Sequence, residues 1–328
     1  MRAVVITEPG DADVLAVQDI PEPVPGPEEV LVAVRATALN RADLLQRRGF
    51  YPEPGPPREH EVPGMELAGT VVALGYRASA WQVGDEVMGV VSGGAYAERI
   101  TVHERQLMPV PPALGLADAA AVPEVAITAW DALVVQGGLT GGRAALVHAG
   151  ASGVGSAAIP IAKLVGATVV TTTSTAKVEA CKAFGADVVV DYTAEDYVEA
   201  VWAATDGQGV DVVLDVVGGD YLMRNVKALR TGGTIVQVGV MGGGRTDVDL
   251  AALLPKRATL RGTVLRARPV EEKIAVTQRF AREVLPWYAA GAIRPVIDSR
   301  YPLDAIAEAH RHMEANANVG KIVVDIGD

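Results

Sequence analysis

From Gly150 to Gly155 the chain reads Gly-Ala-Ser-Gly-Val-Gly, after an apolar run that ends at His148-Ala149 and before a run of helical character. Glycines spaced this way between a strand and a helix suit a dinucleotide. Gly150 makes the tight turn, the middle position lets backbone approach a diphosphate, and Gly155 lets helix pack on strand. Gly153 and Val154 then offer unpaired amides and the positive end of the helix dipole to the phosphates. The middle position is Ser152 in place of the usual glycine, and its hydroxyl can itself bond a phosphate. A site built for NAD carries an acid about 20 residues further on, against the ribose 2′-hydroxyl. Here the next strand closes on Thr171-Thr172-Thr173, followed by Ser174, Thr175, Ala176 and Lys177. Hydroxyls and a lysine without a carboxylate suit a 2′-phosphate, so NADPH is the expected cofactor. The plain alternatives are a tight turn without a ligand and a lysine that is merely solvated on its helix.

A different chemistry is also written in the chain. Ser152, Asp215 and His310 follow one another in the order of an α/β-hydrolase triad. The nucleophile elbow of such enzymes needs Gly-x-Ser-x-Gly, and Val154 stands where its second glycine belongs. Metal chemistry has little to draw on. With one cysteine, no Cys-based zinc set can form. His310 and His312, two apart, point to different sides of a helix, and His60 and His103 are isolated.

The elements around these residues fall into two textures. Up to about Val102, short strands (Ala3–Thr7, Val30–Ala36, Leu67–Leu74, Tyr96–Val102) alternate with proline and glycine clusters at Pro21–Pro27, Pro52–Pro57 and Ser92–Gly94. One helix interrupts them, with Asn40 as N-cap, Asp43 in the first turn and Gly49 as the stop. After Pro111-Pro112 comes a helix over Glu124–Gln136. Strands at Ala144–Ala149, Ala167–Thr173, Val188–Asp191, Val210–Val217 and Thr234–Val240 then alternate with helices at Gly153–Val165, Lys177–Phe184 and Tyr221–Leu229. That alternation predicts a parallel sheet covered on both faces, an α/β doubly wound domain. Pro160 should kink its helix. The tail reads as helix (Val270–Ala290), strand (Pro295–Tyr301), helix (Asp304–Ala315) and strand (Lys321–Ile326).

Composition bounds the function. The length, 328 residues, suits about two domains, and 49% hydrophobic with 21% charged residues is enough for buried cores. Forty acidic residues against twenty-nine basic give a net charge of −11, which disfavours nucleic acid and anionic membranes as partners. The longest stretch free of charges, Ala144–Ala162, is punctuated by glycine, serine and proline rather than built as a membrane span. A single cysteine and only a short apolar run before Glu8 lead us to expect a cytoplasmic protein.

With these residues in view, the chain resembles the zinc-free, zeta-crystallin-like quinone oxidoreductase branch of the medium-chain dehydrogenase/reductase superfamily. The likeness runs over nearly the whole chain. It is carried by Ala38-Leu39-Asn40-Arg41-Ala42-Asp43-Leu44, Val83-Gly84-Asp85, His148 to Gly155, Gly239-Val240-Met241-Gly242-Gly243-Gly244, and Met313-Glu314-Ala315-Asn316 with Gly320-Lys321. Zinc alcohol dehydrogenases of the superfamily hold their metal with a Cys, the His of a Gly-His-Glu triplet and a second Cys. The matching positions here are Asn40, Gly64-Met65-Glu66 and Glu124, so no zinc is expected.

The resemblance implies a GroES-like β-barrel catalytic domain over residues 1–122, a Rossmann domain over 123–265, and a segment 266–328 that completes the Rossmann domain and returns to the first. A cofactor would lie in the cleft, with Asn40 and Tyr51 at the nicotinamide and substrate end and Asp43 beside them. Thr128, Gly150 and Ser152 to Gly155 would bind it, and Ser174, Lys177 and Tyr192 would surround the 2′-phosphate. Val240, Met241 and Gly242, with Leu265 and Arg266, would border the ribose and nicotinamide through backbone groups, and Asn318 and Lys321 would lie near the cofactor. Each has a plainer reading: Asn40 and Asp43 as helix cap and first-turn anion, Tyr51 and Tyr192 as packing residues. The implied activity is metal-independent reduction of a quinone by NADPH, with the Tyr51 hydroxyl and the Asn40 amide as donors to the carbonyl oxygen. Reduction of an enal or enone C=C bond on the same scaffold is the close alternative. A cofactor-binding regulatory or RNA-binding role is the remote one. The branch also implies a homodimer built on the sheet edge Thr259–Leu265.

Overall fold

In the computed structural model the valine-rich runs of the middle of the chain lie side by side as one parallel sheet. The structure describes residues 1–56 and 58–327. Pro57, which ends the predicted Pro52–Pro57 cluster, and Asp328 lie outside the described residues. The chain divides into two compact units, Met1–Ile127 with Leu265–Asp328, and Thr128–Val264.

In the second unit the six strands run, edge to edge, Val188–Asp191, Thr168–Thr173, Ala144–Val147, Val210–Asp215, Leu229–Gln237 and Thr259–Gly262. Every pairing is parallel. Numbered along the chain the order is 3-2-1-4-5-6, the doubly wound arrangement predicted, and it reverses between Ala144–Val147 and Val210–Asp215. Such sheets are apolar on both faces because helices cover both. Val210–Asp215 is buried at every residue. Leu146, Val170, Val213 and Ile235 share a core with Tyr197 and Val201 of the helix Tyr197–Ala204, and with Leu222 and Val226 of the helix Tyr221–Ala228. The helix Gly153–Val165 runs on through Pro160 and ends at Gly166, whose φ of 87° favours a residue without a side chain.

The first unit holds a seven-stranded sheet organised on the long strand Glu29–Ala38. Glu66–Leu74 pairs along most of its length. Arg99–His103 pairs with its first half, and Lys321–Asp325 joins it antiparallel at Ala36 to Ala38. That last pairing matters for the site, because Val323 opposite Ala38 and the bond from Leu39 N to Ile322 O bring Lys321 alongside Asn40. Val30, Val32, Leu67, Val71 and Val87 form one core of the unit. Leu39, Leu44, Tyr96, Ile306 and Ile322 form part of the other.

Three predictions are corrected. The first boundary falls at Ile127–Thr128, inside the predicted helix, which is an α-helix over Pro123–Trp130 continued as a π-helix over Asp131–Gln136. Proline clusters mark loops, so composition alone placed the boundary before that helix. The segment from Leu265 does not complete the parallel sheet, whose last strand is Thr259–Gly262. It belongs to the first unit and gives the seven-stranded sheet there the strands Ile297–Pro302 and Lys321–Asp325. The helix predicted over Val270–Ala290 is two, Val270–Glu283 and Leu285–Ala289. Among the described residues no helix is long and apolar enough to cross a membrane.

Candidate cofactor and substrate site

The glycine turn lies at the reversal of strand order in the second unit, where open α/β sheets take their ligands. Its geometry fits a diphosphate. A side chain at Gly155 would strike the carbonyls of Ala149 and Gly150 at 2.4–2.5 Å, so backbone packs on backbone there, and one at Gly150 would strike Thr171 Oγ1 at 2.1 Å. Ser152 caps the helix: its Oγ accepts from Gly155 N at 3.0 Å, and its carbonyl accepts from Ser156 N. The Gly153 and Val154 amides precede the helical ladder. The Ser152 hydroxyl proton remains available to donate.

At the ends of the neighbouring strands, Ser174 starts the 3₁₀ turn Thr175–Lys177 and makes no side-chain capping bond. Tyr192 is half-exposed, with its amide on Thr173 O. Sequence reasoning missed Asp191. It sits at the end of the third strand, opposite Thr173, and accepts from the Thr175 hydroxyl and from the Thr193 amide and hydroxyl. Those bonds, Thr175's first, hold its carboxyl below the ordinary value. A search confined to the second strand could not find it, because only the parallel register brings the third strand's end there.

The next loops are laced together. Asp215 Oδ1 accepts from Val217 N and Gly218 N, while the Met241 and Gly242 amides donate to Val216 O and Val217 O. Of the backbone amides expected to border the cofactor, those of Met241 and Gly242 are engaged within the protein, and the side chains of Val240 and Met241 are half-exposed. Asp215 Oδ2 takes the amide of Asn225, whose Oδ1 meets buried His148. Burial pushes the His148 imidazole below its ordinary value. The hydrolase reading fails on these partners. Ser152 caps its helix, Asp215 holds a loop and Asn225, and His310 is buried with Nδ1 against Arg47.

In the first unit, Asn40 stands before the helix Arg41–Arg47, as predicted, and Asp43 Oδ2 accepts from Asn40 N at 2.8 Å. The Asn40 carboxamide is spent differently than predicted. Its Nδ2 donates to Glu66 Oε1 at 2.9 Å and to Ala38 O at 3.2 Å, while Oδ1 accepts from Lys321 Nζ at 2.7 Å. Both amide protons are engaged, so the expectation that Asn40 donates to a substrate carbonyl is corrected. Lys321 also donates to Leu39 O at 2.6 Å and pairs with Glu66 at 2.7 Å, with Glu66 fully buried and Lys321 2% exposed. Glu66 Oε2 accepts from Glu124 N. The signal for Glu66 was a carboxylate at the head of an apolar strand, since a buried charge requires a partner.

Asp43 is buried beneath this cluster. Oδ2 also accepts from Tyr96 OH, and Oδ1 has no hydrogen-bond partner among the described residues. Burial pushes its carboxyl up to about 6 against the opposing pull of Asn40 N, Tyr96, Lys321 and Arg266. A raised acid favours its protonated form in the native state, so its stabilising effect is complete at low pH and is lost as pH rises through about 6. The shift corresponds to about 3 kcal/mol. Asp43→Asn should therefore flatten the fall in stability between about pH 4 and pH 6, measured by urea unfolding. A wild-type fall that the variant fully retains would show that other groups cause it.

Tyr51 is placed by Arg266. The guanidinium donates to Tyr51 O at 3.1 Å, Ser92 O at 2.6 Å and Gln46 Oε1 at 2.7 Å, and lies 5.1 Å from the Tyr51 ring centroid. Its carbonyl accepts from Lys273 Nζ and Ser92 Oγ, and Leu265 O accepts from Arg268 N. The Arg266 side chain thus has a role in holding Tyr51 besides the backbone role expected of Leu265 and Arg266. The Tyr51 hydroxyl makes no hydrogen bond among the described residues. Burial raises its phenol, which Arg266 partly offsets, so it is a protonated donor near neutral pH. Asn318 Nδ2 donates to Gly320 O within its own turn, and Thr128 is buried on its helix. Cys181 is buried beneath the glycine turn.

Two family descriptions match the chain: an alcohol dehydrogenase GroES-like domain over residues 26–112, and a zinc-binding dehydrogenase over 184–324. The chain is 33% identical to the synaptic vesicle membrane protein VAT-1 homolog of Rattus norvegicus, over 99% of its own length and 84% of that protein. It is 30% identical to the quinone oxidoreductase of Lama guanicoe, over 99% and 97%. The chain belongs to the medium-chain dehydrogenase/reductase superfamily of oxidoreductases. Solved structures of this superfamily superpose along its whole length. An NAD-dependent alcohol dehydrogenase does so with TM-score 0.89 at 33% identity, covering 100% of both chains. Mycobacterial Rv1454c complexed with NADPH does so with TM-score 0.87 at 32% identity, covering 99% of this chain and 100% of that one. The superfamily's dinucleotide-binding fold is therefore present, and the first unit carries its GroES-like domain.

Proposed function

We propose that this chain reduces quinones with NADPH, without a metal ion. The observation that carries the reading is Tyr51, an uncommitted hydroxyl fixed by Arg266, in a unit whose metal-ligand positions hold Asn40, Met65 and Glu124. When bound, the reduced dinucleotide supplies the hydride. The chain's own residues grip and orient. Ser152 and the Gly153 and Val154 amides suit the diphosphate, and Ser174, Lys177 and Tyr192 suit the 2′-phosphate. The Tyr51 hydroxyl donates to the carbonyl oxygen as negative charge develops there, an interaction stronger in the transition state than before it. The quinone oxidoreductase relative supports the substrate class, and the NADPH complex of a neighbour supports the cofactor. The single buried cysteine suits a reducing, cytoplasmic setting.

An enone places its oxygen on the same donor, so the test is a steady-state panel of quinones and enals with NADPH in excess. Quinones should give the higher kcat/KM. Enals ahead of every quinone would move the reading to C=C reduction, and consumption with neither class would overturn it.

We also propose a homodimer through the edge of the parallel sheet. Thr259–Gly262 is exposed at every residue, its Leu260 by 55%, and Leu250 and Leu254 of the preceding helix Leu250–Lys256 are 69% and 75% exposed. An exposed edge strand is a template for pairing, and a second copy would cover it. Leu254→Glu/Leu260→Lys should convert a dimer to monomer in sedimentation velocity. A wild-type monomer, or a variant that stays dimeric, contradicts this.

A further inference from the structure

The zinc-binding description of the matched family does not fit these residues. At the position of the first cysteine, Asn40 has both amide protons bonded and its oxygen on Lys321. At the triplet histidine stands Met65, packed in the interior. At the second cysteine stands Glu124, whose backbone amide is held by Glu66 Oε2. Among the described residues, no group of three or more His, Cys, Asp or Glu side chains is placed to hold a metal ion. What joins these segments is an ammonium. Lys321 Nζ donates to Leu39 O at 2.6 Å and to Asn40 Oδ1 at 2.7 Å, and forms an ion pair with Glu66 Oε1 at 2.7 Å. A second cation there would meet the first at close range.

We propose that Lys321 is the positioning residue of this site: its buried ammonium takes the part of a metal cation, neutralises Glu66 and orients the Asn40 carboxamide. Turning that amide over would set its NH2 against the ammonium and its oxygen against the Glu66 carboxylate, so Lys321 and Glu66 together permit one orientation. Asn40 then has one thing to offer a ligand, the second lone pair of Oδ1, and its preferred partner is an N–H donor rather than a carbonyl. This rests on the reading that Asn40 meets the dinucleotide, whose nicotinamide carries a carboxamide N–H.

The test is fluorescence titration with NADPH and with its reduced 3-acetylpyridine counterpart, in which a methyl group replaces the carboxamide nitrogen. Wild type should prefer NADPH about tenfold, the worth of one well-made hydrogen bond. Lys321→Met alone strands a buried carboxylate and is expected to unfold the protein. Lys321→Met/Glu66→Gln removes both charges and keeps one acceptor oxygen, which serves either the Asn40 amide or the Glu124 backbone N–H. Folded, as judged by its melting curve, this pair should lose the preference, and Asn40→Ala should add nothing in that background. Asn40→Ala alone, which changes no charge, should lose it as well. A folded pair, or an Asn40→Ala variant, that keeps the preference overturns the proposal. A wild type that binds both dinucleotides equally overturns it while leaving the proposed function standing, whereas a wild type that binds neither overturns both. Equilibrium dialysis of wild type against Zn²⁺ should find no stoichiometric binding, and one tightly held ion per chain would contradict it.

Discussion

Tyr51→Phe should lower kcat with an orthoquinone by roughly 30- to 1000-fold while leaving the NADPH dissociation constant within about twofold. The range is the 2–4 kcal/mol that one lost oxyanion donor costs. The substitution is clean because everything that places residue 51 survives it. Arg266 Nη1 still meets the backbone carbonyl at 3.1 Å, the guanidinium still lies against the ring, and Gln46 and Ser92 still hold Arg266. Only the hydroxyl is lost, and among the described residues it bonds to nothing else. An unchanged kcat with weaker NADPH binding would assign Tyr51 to the cofactor.

Lys177→Ala should raise the KM for NADPH at least tenfold and leave that for NADH nearly unchanged. A charge-assisted bond to a phosphate contributes about 1.5–3 kcal/mol, and NADH has no 2′-phosphate to lose it from. Asp191 sharpens the expectation. Thr175 and Thr193 hold it ionised at the adjacent strand end, so a 2′-phosphate without the lysine would meet a carboxylate with less to offset it. Ser174→Asp should push the preference further toward NADH by like-charge repulsion. Both constants must be measured at one ionic strength, because exposed charges are screened. A parent that prefers NADH, or a variant weakened equally toward both, means the phosphate pocket lies elsewhere.

The glycine turn and its helix were legible because their signals are local. Ser152 caps, Gly166 stops, and the helix Gly153–Val165 was predicted to the residue. The helix Tyr197–Ala204 was not, because Tyr197, Val198, Val201 and Trp202 favour strand; the Asp196 cap and the burial of Tyr197 and Val201, four apart, override that preference. The strand Leu229–Gln237 was read as Thr234–Val240, starting late because Gly232-Gly233 looks like a break and running past its true end. In the site, Asn40 and Asp43 were legible as a helix start. Their partners were not: Lys321 is 281 residues from Asn40, and Arg266 is 215 from Tyr51. Strand pairing and tertiary packing create those contacts, and no local pattern announces them.

Hydride transfer by this chain is expected to need no metal ion. Protein dialysed against a strong chelator and shown by elemental analysis to hold no zinc is assayed with NADPH and a quinone, following cofactor absorbance. The initial rate should be the same before chelation, after it, and after zinc is restored. A rate abolished by the chelator and recovered with one equivalent of zinc would contradict it.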